Sequence, residues 1–184
     1  WQKVIDYLNS LGYDCVSIST EPSQLGNVIR HCGQSIEQTL TDVSGCEFYV
    51  GLNAGPTWIA YSLNKPTVLI TGVSEPWNDF PTPYRIAVDV CRPGCFNDPS
   101  IPIDRGFDFC PRKKDYACTK EITETMVISM IDKLREENGY VVKTRKRSSR
   151  IKHQRTHAHR KVSTETSCSN SDERSREIQT EVQA

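Results

Sequence analysis

The chain has 184 residues, 36% apolar and 25% charged, an ordinary balance for a soluble domain with room for one full core. Its formal net charge of zero conceals a division: residues 1–142 sum to −6 and residues 143–184 to +6, so the body is no natural nucleic-acid binder. No apolar run approaches membrane-spanning length, no signal peptide opens the chain, and it starts at Trp1 inside a helix-spaced segment, as a fragment or processed product would.

Trp1, Val4, Ile5, Leu8 and Leu11 follow helical spacing, with Gly12 placed to end the helix in a left-handed turn. Tyr13–Ile18 reads as a strand, followed by the polar loop Ser19–Ser23, and Asn27–His31 as a short helix. A further helix begins after Ser35, with Ser35 as N-cap and Gln38 in the capping-box position, and leads through Val43 to Gly45.

Glu47–Gly51 is a short apolar strand that runs into the turn Leu52-Asn53-Ala54-Gly55-Pro56. Pro56 suits the first turn of a helix, where its missing N–H is not needed, and Trp58 to Leu63 complete about two turns. Lys65-Pro66 breaks that helix, and Thr67–Ile70 is a second buried strand closed by Thr71-Gly72. Strand, turn, helix, strand is a βαβ unit, which requires a parallel sheet. Ligands of such sheets sit beyond the carboxyl ends of the strands, here at residues 53–57 and 71–75. The free N–H groups and positive dipole end of the helix starting near Gly55 favour an anion such as phosphate; otherwise Gly55 serves the tight turn alone.

Residues 73–83, rich in proline and aromatic side chains, read as an irregular wall beside that corner, and Tyr84–Val88 as another strand. Of the eight cysteines, Cys15, Cys32 and Cys46 read as buried thiols and Cys168 as free. Cys91, Cys95, Cys110 and Cys118 crowd into one loop-like segment. Such a cluster without a secretory signal reads as a metal site, with the Pro93-Gly94 turn folding the first two thiolates together. Four thiolates leave no open coordination position, so the expected role is structural, with iron or zinc as the ion. Thr123 caps the last helix of the body, whose apolar face is Met126, Val127, Met130, Ile131 and Leu134, and Gly139 stops it. Residues 143–184 are polar throughout and read as a disordered tail. Its basic half is a solvated segment, or one that touches nucleic acid, anionic membrane or an import receptor. The expected domains are therefore a core over 1–90, a cysteine loop over 91–118, a packing helix over 119–142 and the tail.

Three motifs in this order carry a resemblance. They are Gly51-Leu52-Asn53-Ala54-Gly55-Pro56-Thr57-Trp58; Ile70-Thr71-Gly72 with Ser74-Glu75-Pro76 and Phe80-Pro81-Thr82-Pro83-Tyr84-Arg85; and the four cysteines. Together they resemble the C-terminal part of the bacterial autotransporter heptosyltransferases, relatives of the lipopolysaccharide heptosyltransferases. The resemblance implies an α/β fold with a Rossmann-like parallel sheet and flanking helices, one half of a GT-B-type glycosyltransferase. It implies transfer of a heptose from an ADP-sugar to serine or threonine hydroxyls of a protein acceptor, such as an autotransporter adhesin, in the cytoplasm. Homo-oligomers are compatible with it. Asn53, Ala54, Gly55 and Thr57 would meet the diphosphate or sugar, with Trp58 nearby; Ser19, Thr20 and Glu21 would face the nucleotide, and Glu75 the sugar. Cys91, Cys95, Cys110 and Cys118 would hold one iron. The catalytic base of the family is an aspartate of the N-terminal domain, so no residue here is nominated for it. Departures from the pattern are Asn53-Ala54-Gly55 where the lipopolysaccharide enzymes have Asp-Thr/Ser-Gly, and CxxxC in place of CxxC at Cys91–Cys95. The contrasting expectation is a non-enzymatic, metal-stabilised interaction module on an inactive Rossmann-like body.

Overall fold

The computed structural model describes residues 1–19, 24–72, 74–91, 94–95, 98–101 and 110–140. Helix α1 (Gln2–Ser10) leads into β1 (Val16–Ser19), which pairs in parallel with β2 (Ile29–Cys32). Helix α2 (Ile36–Gly45) follows, then β3 (Tyr49–Leu52), α3 (Gly55–Ser62) and β4 (Thr67–Ile70). After a 3₁₀ turn at Pro76–Asn78 come β5 (Arg85–Ile86), the short α4 (Ala117–Lys120) and α5 (Glu124–Glu137). Strands β3, β4 and β5 form a second parallel sheet in that order, with Leu52 opposite Ile70 and Leu69 opposite Arg85. The expected βαβ unit is thus present, and its strands end together at the edge where Asn53 and Thr71 begin the loops.

Strand β4 is central and buried throughout. Val68 and Ile70 point to one face, where Val4 and Leu8 of α1 and Val127, Ile131 and Leu134 of α5 close over them. Leu69 alternates to the other face, on which α3 packs with Ala60 fully buried and α2 packs in turn on α3. Side chains such as Leu69, Ile131 and Leu134 each contribute about 1.5–3 kcal/mol through burial. The apolar faces of α1 and α5 therefore together cover one side of the sheet.

Three helices stop in the same way. Gly12, Asn64 and Gly139 adopt left-handed φ angles of 88°, 55° and 67° just beyond α1, α3 and α5. In each case the next N–H reaches back to a carbonyl of the last turn, Tyr13 to Leu8 (3.1 Å), Lys65 to Ala60 (2.9 Å) and Tyr140 to Arg135 (2.9 Å). Gly12 and Gly139 behave as their positions predict; Asn64 takes the same conformation because its short polar side chain tolerates it.

Two local expectations are corrected by the structure. The helix expected over 27–31 is instead strand β2, since Asn27 sits at φ 52° and breaks any helix, and pairing with β1 satisfies the backbone. Ser35 does cap α2, accepting from the Gln38 N–H at 3.3 Å, but the Gln38 side chain runs forward to Asp42 at 3.2 Å, so the reciprocal half of the box is missing. Thr123 caps α5 as expected, accepting from Met126 N–H. Cys15 and Cys46 are half-buried rather than sequestered, and burial raises both thiols above their ordinary range. Thr20, Glu21 and the 143–184 tail lie outside the described residues.

Candidate functional site

The corner between β3 and α3 is made by a chain that turns without strain. Ala54 is extended (φ −148°, ψ 169°) and serves as N-cap with no side chain to offer, so α3 begins uncapped. The Ala54 carbonyl accepts from Thr57 N–H (3.0 Å) and Trp58 N–H (3.2 Å), and Pro56 has no donor. Among the described residues nothing accepts from the N–H groups of Ala54 and Gly55, both exposed. They are donors that the helix start leaves without a partner among the described residues.

Gly55 itself has an ordinary φ, and a Cβ built on it would meet nothing within 4 Å. The turn therefore does not need a glycine, and the space a side chain at 55 would take is empty. Gly51 is different. A Cβ there would stand 2.6 Å from Thr57 Oγ1 and 2.6 Å from a ring carbon of Tyr49, so glycine at 51 is required by close packing under the turn.

The named side chains divide accordingly. Thr57 is 1% exposed, and its hydroxyl donates to the Leu52 carbonyl, so it braces the turn from inside. Asn53 is half-buried and Trp58 is 43% exposed, with the indole N–H donating to Asn53 Oδ1 at 2.8 Å. The Trp58 ring meets Phe80 edge-on, at 5.1 Å between centroids, and Phe80 stacks on Tyr61 at 4.5 Å. Ser19 stands at the carboxyl end of the other sheet, its carbonyl accepting from Gly33 N–H.

Sequence reasoning missed the residue that ties this edge together. Asp79, its side chain 1% exposed, accepts from Asn53 Nδ2 (2.6 Å), Ser74 Oγ (2.9 Å) and Arg85 Nε (2.8 Å). Arg85 also donates to the Ser74 carbonyl at 3.0 Å, and the Ser74 and Thr71 hydroxyls share a hydrogen bond. One buried carboxylate thus joins the loops after β3 and β4 to the start of β5, with both of its oxygens engaged. A signal was available: an arginine inside an apolar strand segment and an aspartate between Asn78 and Phe80 imply a buried ion pair.

The cysteine segment lies against the same edge. A Cβ on Gly72 would fall 2.7 Å from the Cys118 carbonyl oxygen, so the end of β4 abuts α4 directly. Glu75 accepts from the Gly94 N–H at 2.6 Å, which engages it with the cysteine loop. Cys110 accepts from Lys114 N–H at 3.3 Å, and the backbone N–H groups of Tyr116, Lys114, Arg112 and Lys113 hold its thiol below the ordinary value. Burial raises the thiol of Cys118, and Cys91, Cys95 and Cys110 add to that rise. They do not form a preformed centre: among the described residues no group of three or more His, Cys, Asp or Glu side chains is spaced to hold a metal ion. The donor set is nonetheless that of a thiophilic ion, and the N–H cradle at Cys110 suits a thiolate.

No family profile matches the chain. The autotransporter heptosyltransferase BAHTCr of Citrobacter rodentium is 32% identical over 149 residues, covering 73% of this chain and 36% of that protein. TibC of Escherichia coli is 32% identical over 149 residues, covering 73% and 37%. The crystal structure of TibC, a dodecameric iron-containing heptosyltransferase, in complex with ADP-D-β-D-heptose resembles this fold with a TM-score of 0.69 at 29% identity. That match covers 76% of this chain and 41% of the TibC chain. The inactive autotransporter heptosyltransferase BimC of Burkholderia thailandensis is 26% identical over 122 residues, covering 61% of this chain and 29% of that protein. The chain spans a little over one third of the length of the first of these relatives. By sequence and by fold, the homologues of this chain are the autotransporter heptosyltransferases.

Proposed function

We propose that this chain is the donor-binding part of a glycosyltransferase that moves a heptose from an ADP-sugar to serine or threonine hydroxyls of a protein acceptor, an autotransporter adhesin in the cytoplasm. The observation that carries the reading is the corner at Ala54-Gly55, where two N–H groups at a helix start have no acceptor among the described residues and the space a Gly55 side chain would take is empty. The ADP-heptose bound in TibC supports the ligand class.

In this reading the N–H groups of Ala54 and Gly55 take the diphosphate. As the glycosidic bond to the leaving diphosphate lengthens, negative charge collects on the phosphate oxygens. Preset backbone donors stabilise that charge without reorganising. Thr57 contributes from beneath, through the Leu52 carbonyl. Asn53 and Trp58 would line the mouth, the partly exposed indole offering a surface for the base or sugar. Ser19, Thr20 and Glu21 are the proposed nucleotide-facing residues, and Glu75 the one nearest the sugar. Cys91, Cys95, Cys110 and Cys118 would hold one iron, or zinc in its place. The bound ion would cross-link a loop that has little core of its own. Assembly into homo-oligomers belongs to the same proposal, since TibC is dodecameric.

A second reading, an interaction module on an inactive body, is favoured by one observation: the similar BimC is an inactive member. Saturation-transfer NMR with ADP, ADP-heptose, UDP and GDP separates the two. Selective contact with ADP and ADP-heptose supports the transferase; silence for all four nucleotides overturns it and leaves the module.

A further inference from the structure

Hydrogen bonds at the corner run in one direction. The Trp58 indole N–H donates to Asn53 Oδ1 (2.8 Å), the Asn53 amide donates onward to Asp79 Oδ1 (2.6 Å), and Arg85 donates to Asp79 Oδ2 (2.8 Å) from the far side. The two ends of an amide have the same shape but opposite polarity. Trp58 Nε1 can only donate and an ionised Asp79 can only accept, so the pair determines which end of Asn53 faces which neighbour.

Building on the reading of the corner given above, we propose that Asp79 is a positioning residue for nucleotide-sugar binding. Its carboxylate acts through Asn53 on the seat of Trp58, and through Ser74 and Arg85 on the loop that walls the corner. Asp79 is buried, its side chain 1% exposed. A charge in that place is costly unless its oxygens are well partnered, and here Asn53, Ser74 and Arg85 supply the donors. A neutral asparagine of the same shape would fill the space and break the sequence of donors. Its own NH2 would face either Arg85 or Asn53, and turning Asn53 over to accept would leave two donors, its amide and the indole, pointing at each other.

The substitutions Asp79→Asn and Asn53→Asp test this, alone and combined, in the full chain. In the combination, the amide introduced at position 79 can accept from Arg85 and donate to the carboxylate introduced at position 53, while that carboxylate accepts from Trp58. This rebuilds the directional chain with the charge carried on the neighbouring side chain. The readouts are the ¹⁵N-resolved indole resonance of Trp58, assigned among the three tryptophans by Trp58→Phe, and the affinity for ADP-heptose. Asp79→Asn is expected to displace or broaden the Trp58 indole resonance and to weaken ADP-heptose binding about tenfold or more, the loss of a hydrogen bond to a charged group. The double substitution is expected to restore a single sharp, hydrogen-bonded Trp58 indole resonance, offset only by the change of acceptor from amide to carboxylate. A general packing role would not be rescued by exchanging the two side chains. If Asp79→Asn leaves both the resonance and the affinity unchanged, the proposal is overturned; if it does not fold, the double variant decides, and failure to restore the fold or the resonance also overturns it. Absence of ADP-heptose binding by the unsubstituted chain is a distinct outcome that overturns the reading of the corner itself.

Discussion

Gly55→Ala separates what the fold needs from what a ligand needs. The substituted methyl would stand in open space, with no atom within 4 Å, on a backbone with ordinary φ at the first position of α3. Removing a glycine at such a position restricts the unfolded chain and stabilises the folded one by about 0.4–1 kcal/mol. For a chain of this length that is a rise of roughly 1–4 °C in melting temperature. If the Ala54 and Gly55 N–H groups hold a diphosphate, the same methyl stands where the phosphate oxygens approach. Overpacking of about 1–3 kcal/mol then lowers the affinity for ADP or ADP-heptose by roughly 5- to 150-fold. Thermal unfolding by circular dichroism and ADP titration by calorimetry read the two effects independently. A variant that gains stability and loses ligand is the expected result. A fall of several degrees would show that the turn needs glycine after all, and unchanged ADP affinity would move the diphosphate away from this corner.

Gly72→Ala should do the opposite. Its Cβ would lie 2.7 Å from the Cys118 carbonyl and 2.9 Å from Thr119 Oγ1, so α4 must move, at a cost of about 1–3 kcal/mol. A lower melting temperature is expected and, if the four cysteines hold an ion, weaker metal retention by elemental analysis after dialysis; an unchanged melting curve would contradict the close approach of β4 to α4. The acid limb of stability tests the contact between α1 and α5. The Lys3 ammonium bonded to Glu124, reinforced by the carboxyl's own backbone N–H, holds Glu124 below its ordinary value. A depressed carboxyl stabilises the fold above its unfolded pKa, near about 4.3, and that contribution is lost as pH falls through the lower folded value. Glu124→Gln should therefore melt slightly earlier at neutral pH and coincide with the parent at low pH. Parallel curves across the whole range would refute the assignment.

Much of this architecture is legible in the sequence because its determinants are local. Pro56 near a helix start, Asn64 and Lys65-Pro66 at its end, Gly12, Ser35 and Thr123 each act on the backbone within a few residues, and so does the two-strand pattern around α3. The polarity of the corner follows from the same local facts, since a helix that begins at Ala54-Gly55-Pro56 must leave N–H groups without partners. Ile29–Cys32 escapes such a reading because a four-residue segment carries too little periodicity to separate helix from strand, and its parallel partner β1 lies a loop away.

Decisions of the tertiary structure concern groups distant along the chain. Whether Gly55 serves the turn or a ligand depends on its φ and on the empty space around it, neither of which a residue name encodes. Thr57 turns inward because Gly51 leaves room beneath the turn. Asp79 becomes the centre of the edge only when folding brings Asn53, Ser74 and Arg85 to it, because a buried charge draws its meaning from partners that the order of the sequence does not reveal. The chain by itself determined where most strands and helices begin and end, and so where a phosphate could be met; only the packed structure decided which side chains face that place and which stand behind it, since burial and hydrogen-bond direction are properties of neighbours in space.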